Sequence, residues 1–179
     1  MTTKKFQYQE SMPLWYNGCY FHSRQELKFA LSIERDYYYI REPLFIPYDP
    51  HTKLLPANAR SNMHFYVPDF LIRHKQTMKA FLVEIKPAGY GDLKSLALRE
   101  KLVQQLVSRQ LFDWEYQLVI AESIVLHESV FDRYRAICRA PGHLLPYKRS
   151  FYTIVPVNHD TGLSNRDYIS FLMRGIPPV

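Results

Sequence analysis

Between residues 80 and 121 the chain spells strand, helix, strand, and that order constrains its fold more than any other feature. Ala80 to Lys86 (AFLVEIK) is an apolar run of strand length. Gly89 and Gly91 mark a turn, and Asp92 is placed to cap the helix LKSLALREKLVQQLVSRQ. Leu93, Leu96, Ala97, Val103 and Val107 fall near one side of it, with Leu98, Leu102 and Leu106 close by. Tyr116 to Ala121 (YQLVIA) is the second strand. Strands joined through a crossover helix run parallel in one sheet. The expected class is therefore α/β, with a mixed central β-sheet flanked by helices.

The flanking segments extend this unit. Ser23-Arg24-Gln25-Glu26 has the capping-box pattern and opens a helix reaching about Asp36, with Leu27, Ala30 and Leu31 at helical spacing. Tyr37 to Ile40 and Leu44 to Tyr48 read as short extended pieces, and residues 49–62 as a loop. Phe65 to Ile72 (FYVPDFLI) reads as one strand, joined to Ala80–Lys86 by a hairpin through RHKQTMK. Residues 1–21 are aromatic and irregular. Val130, Tyr134 and Ile137 give a later helix, residues 151–157 look extended, and Ser164 caps a final helix. The expected organisation is one domain over 1–150 with an N-terminal extension. A C-terminal extension, 151–179, holds a short strand plus a helix and packs on that domain.

Composition narrows the classes of function. A formal charge of +6 favours a polyanionic partner such as nucleic acid. Two cysteines, Cys19 and Cys138, make neither a metal-ligand pattern nor a disulfide framework, which suits a reducing cytoplasm. No apolar run approaches the roughly 18 residues that cross a bilayer, so no membrane is expected. The N-terminus MTTKKFQYQE lacks the apolar core of a signal peptide. The histidines show no ligand spacing, and no Ser-His-Asp set, Walker loop or dinucleotide fingerprint is present.

Chemistry gathers around the first strand of the crossover. A strand alternates its side chains, so Glu84 and Lys86 share one face and Val83 and Ile85 the other. On the neighbouring strand Asp69 follows Pro68, a residue suited to a strand start, edge or bulge. Pairing of the two strands brings Asp69 close to Glu84. Two such carboxylates repel unless a divalent cation or a proton relieves them. Mg²⁺ takes one or two carboxylates plus other oxygens, and Lys86 would supply positive charge beside a phosphate. That combination points to phosphodiester hydrolysis. Two further groups suit a DNA surface: Lys101 and Gln104 on the crossover helix, and Arg133, Arg135, Arg139, Lys148 and Arg149 in an acid-free, aromatic-rich run at 133–152.

Pro68-Asp69 followed by Glu84-Ile85-Lys86 resembles the PD-(D/E)xK motif of the restriction-endonuclease-like nucleases. With Glu26 on an early Ser-x-x-Glu helix, residues 20–122 look most like the N-terminal catalytic domain of TnsA, the endonuclease subunit of heteromeric transposases. The resemblance implies a restriction-endonuclease-like core and a metal-dependent endodeoxyribonuclease using Mg²⁺, with Mn²⁺ able to substitute. It implies Asp69, Glu84 and the Ile85 carbonyl as metal ligands, Lys86 as the catalytic lysine, and Glu26 assisting the metal. DNA and a transposase subunit are the implied partners, with room for a homodimer. Two alternatives stay open. One is another nuclease of the superfamily, in restriction, repair or phage biology. The other is a non-catalytic DNA-binding or assembly protein that keeps the fold.

Overall fold

The computed structural model describes residues 14–17, 19–57, 62–139 and 164–175. In chain order its elements are β1 (Leu14–Tyr16), β2 (Cys19–Phe21), α1 (Arg24–Ile33), β3 (Tyr37–Arg41), β4 (Ile46–Tyr48), β5 (His64–Tyr66), β6 (Phe70–His74), β7 (Ala80–Lys86), α2 (Leu93–Gln110), β8 (Trp114–Ile120), α3 (Glu128–Arg139) and α4 (Asn165–Arg174). The central sheet runs β3-β6-β7-β8. β3, β6 and β7 are antiparallel neighbours, and β7 and β8 are parallel as the crossover requires. The protein is thus mixed α/β, with a mixed central sheet and four helices among the described residues.

Side chains alternate across the sheet and build two cores. Phe70, Ile72, Val83 and Ile85 pack with Leu27, Phe29, Ala30 and Leu31 of α1, and with Val130, Tyr134 and Ile137 of α3. Ile40, Leu71, Ala80 and Leu82 pack on the other side with Leu102 and Val103 of α2, and with Tyr168, Phe171 and Leu172 of α4. The expected apolar stripes of α3 and α4 are therefore the packed ones, while on α2 the packed side is Leu98, Leu102, Val103, Leu106 and Val107, and Leu93 and Ala97 of the expected stripe are exposed.

Three local expectations change. The segment 65–72 is not one strand. His64–Tyr66 pairs with β4 in a small separate sheet, while Phe70–His74 joins the central one. The break falls at Val67–Asp69, where Pro68 has no amide for a ladder. Leu14–Tyr16 and Cys19–Phe21 are not irregular but pair as antiparallel β1 and β2, Leu14 opposite Phe21. α1 ends at Ile33 rather than near Asp36. The extended piece expected at 151–157 lies outside the described residues.

α4 is tied to the sheet by a buried arginine. Arg73 Nε donates to the Leu172 carbonyl at 3.1 Å, and its Nη1 donates to Asp113 Oδ2 at 2.8 Å. Trp114 Nε1 donates to the Met173 carbonyl at 3.1 Å, and the Tyr39 amide donates to the Tyr168 hydroxyl at 3.2 Å. No helix among the described residues is long and apolar enough to cross a membrane.

Candidate active site at one end of the central sheet

Register puts the acids together. Phe70 opposes Val83, so Asp69, just before β6, comes beside the end of β7 that carries Glu84, whose charge acts on it. The ladder is broken there, since the Asp69 amide donates at 3.1 Å to the carbonyl of Val83, the residue that Phe70 already opposes, as in a bulge. The Glu42 amide donates to the Asp69 carbonyl, also at 3.1 Å, placing the end of β3 beside them. Glu42 has a φ of 43°, a left-handed conformation uncommon outside glycine.

Each acid has a distinct environment. The Ile85 amide donates to Asp69 Oδ2 at 2.7 Å, and no other hydrogen bond reaches this carboxyl among the described residues. Burial, then the charges of Glu84 and Glu26, push Asp69 up to about 8, against smaller opposing effects of Lys86 and the Ile85 amide. Glu84 is 2% exposed. Its Oε2 accepts from the Tyr66 hydroxyl at 2.8 Å, and its Oε1 is paired with both Lys86 and Arg99. Lys86 Nζ also donates to the Ile85 carbonyl at 3.1 Å. As alternation requires, Glu84 faces the α2 layer, while Val83 and Ile85 face the α1 layer.

Glu26 approaches from that other layer. The Ser23 hydroxyl accepts from the Glu26 amide at 3.2 Å, which is half of a capping box. The Glu26 carboxylate does not return to the Ser23 amide. It accepts from the His22 amide at 3.1 Å, from the Ser23 hydroxyl at 3.3 Å and from Arg41. Arg41 is fully buried, with its guanidinium 4.8 Å from the Phe21 ring centroid and two of its nitrogens lacking hydrogen-bond partners.

Asp69, Glu84, Lys86 and the Ile85 backbone thus converge, and Glu26 is near enough to act on Asp69 electrostatically. Among the described residues, however, no three acidic, histidine or cysteine side chains converge as a ready metal-ligand set. Cationic partners hold two of the acids: Arg41 on Glu26, and Lys86 with Arg99 on Glu84. The available donors are carboxylate and carbonyl oxygens, and one oxygen of Asp69 makes no hydrogen bond among the described residues. That chemistry suits a hard divalent cation, which needs only one or two protein carboxylates.

The expected DNA-contact residues do not join this cluster. Lys101 and Gln104 are exposed on α2, and Gln104 donates to Glu100 at 3.4 Å. Arg133 is paired with Glu34, the residue that follows α1. Arg135 lies 5.8 Å from the Phe131 ring centroid, and Arg139 is exposed. Lys148 and Arg149 lie outside the described residues.

Three members of the site were not anticipated. Arg99 sits three and four residues before Leu102 and Val103, both buried, so a helical wheel would have turned it toward the sheet. Tyr66 comes from the separate β4–β5 sheet, and no local pattern announces it. Tyr116, opposite Leu82 on β8, has a buried hydroxyl without a hydrogen-bond partner. Its desolvation and the Glu84 charge raise its pKa.

Compared with models of protein families and with curated proteins, the chain matches none.

Proposed function

We propose that this chain is a Mg²⁺-dependent DNA endonuclease with a restriction-endonuclease-like core, the TnsA-like strand-cutting subunit that works beside a transposase. One observation carries the reading: Asp69 lies close enough to Glu84 and Lys86 to feel both charges, with Lys86 paired to Glu84 and the Ile85 amide fixing Asp69. The moderately basic chain supports a phosphate-rich partner.

Asp69, Glu84 and the Ile85 carbonyl would hold Mg²⁺, which when bound supplies charge stabilisation for a phosphoryl group and acidifies water. The protein's own contribution is placement. The 2.7 Å bond from the Ile85 amide fixes one oxygen of Asp69 and leaves the other without a hydrogen bond among the described residues. The Tyr66 hydroxyl fixes Glu84 from the side opposite Lys86. Lys86, held by Glu84 and the Ile85 carbonyl, keeps a positive charge where a scissile phosphate approaches. Arg41 holds Glu26 in the adjoining layer, so Glu26 acts as a positioning and electrostatic group.

The test is nicking of supercoiled plasmid in Mg²⁺ or Mn²⁺, with the partner transposase present. Wild type is expected to nick, and Asp69→Ala and Lys86→Ala to lose at least about a hundredfold in rate. Equal nicking by all three proteins would remove the proposed site.

The pairing of Glu84 with two cations favours a second reading. Here the cluster is a structural ion-pair network in a DNA-binding protein. That reading expects DNA binding unaffected by Asp69→Ala and no Mn²⁺ binding that depends on Asp69.

A further inference from the structure

Glu84 is the most enclosed acid of the cluster, and it is held by three side chains. Tyr66 takes one of its oxygens, and Lys86 and Arg99 share the other. The two cations are not equivalent. Lys86 stands on the same strand as Glu84, and its Nζ is also bound to the Ile85 carbonyl. Arg99 reaches in from α2, and Glu84 is its single hydrogen-bond partner among the described residues. Its guanidinium lies 5.5 Å from the Tyr66 ring centroid, and its side chain keeps a route to solvent, being 23% exposed. A guanidinium and a dication compete for the same carboxylate lone pairs and repel each other at that range.

We propose that Arg99 occupies the cation position on Glu84 while no metal is bound, and that Arg99 and a divalent cation exclude each other there. The exchange frees a planar five-donor fork beside the site, stacked on Tyr66, whose geometry matches a phosphate of the DNA backbone. Arg99 is then a positioning residue for metal loading and a phosphate contact afterwards. This inference rests on the metal-dependent reading above.

The experiment is calorimetric titration of the full chain with Mn²⁺ alone, in wild type, Arg99→Met, Arg99→Gln and Asp69→Ala. Both Arg99 variants are expected to bind Mn²⁺ at least about tenfold more tightly than wild type, within the usual span of coupled sites. Asp69→Ala is expected to give no binding heat. In EDTA the Arg99 variants are expected to melt below wild type, and saturating Mn²⁺ to raise their midpoints by more than it raises the wild type's. Wild-type or weaker affinity in both variants, with binding still dependent on Asp69, overturns the exclusion and leaves the metal site standing. Absence of any Asp69-dependent heat in all the proteins overturns the metal reading and this inference together.

Discussion

A carboxylate set near Glu84 and Glu26 and largely out of water burdens the fold whenever it ionises. Burial and those two charges raise Asp69 from 3.8 to about 8. A group raised above its unfolded value contributes fully below the unfolded pKa, near 4, and loses that contribution as pH climbs toward 8. Asp69→Asn keeps the shape, and its side-chain oxygen still accepts from the Ile85 amide. In EDTA the variant is therefore expected to match wild type at pH 4 and to exceed it by about 1–2 kcal/mol at pH 8, while nicking is lost. Urea midpoints at pH 4, 6 and 8 check this, and a constant gap across that range would contradict it. At this scale much of the site was legible. Period-two alternation put Glu84 and Lys86 on one face, and the hairpin brought Asp69 near them. Arg99 was missed because cations on a helix read first as solvent-facing, which directed attention to Lys101 and Gln104. The wheel position of Arg99 above Leu102 and Val103 was the better signal.

Elements obey local chemistry until a neighbour overrides it. Ser23, Asp92 and Ser164 all cap the helices they were expected to cap, each accepting from the amide three residues on. The β1–β2 hairpin had its own signal in Asn17-Gly18, and Asn17 takes a φ of 50°. The split of 65–72 had a weaker one. Pro68 marks a break, but the apolar residues on both sides do not say which sheet each half joins. That choice is made by β4 and β3, which are distant in sequence. The end of α2 departs from usual capping. Leu111 sits in the left-handed region at φ 53° and is 90% exposed, while its amide still donates to the Val107 carbonyl. Glycine adopts that conformation without a clash and loses no packing at so exposed a position. Leu111→Gly is expected to stabilise the chain by about 0.5–1 kcal/mol, which thermal melting can measure. A lower midpoint would mean that Leu111 is covered in solution.

The whole molecule depends on joining its last helix to a sheet made by residues far upstream, and one buried side chain ties three elements together at that join. Arg73 is fully buried and faces the α2 layer. It donates to the Leu172 carbonyl of α4, to the Met78 carbonyl in the β6–β7 turn, and with two nitrogens to Asp113 before β8. Gly175 ends α4 directly against it, since a Cβ there would stand 2.9 Å from Arg73 Nη1. This tie was not legible, because an arginine in the sequence FLIRH gives no hint that three separate elements converge on it. Arg73→Met fills similar volume but leaves the Leu172 and Met78 carbonyls without their donor. It is expected to cost about 2–4 kcal/mol and to release α4 first. Hydrogen exchange should then speed up at the amides of residues 168–174 before those of β7. Acid supplies a second check. The Arg73 hydrogen bonds hold Asp113 below its usual pKa, so their contribution is present above about 3.9 and fades as pH falls through the lowered value. The stability gap between wild type and Arg73→Met should narrow below about pH 4. If α4 exchanged no faster in the variant than in wild type, the aromatic contacts of Tyr168 and Phe171 with Tyr38 would have to be what holds it.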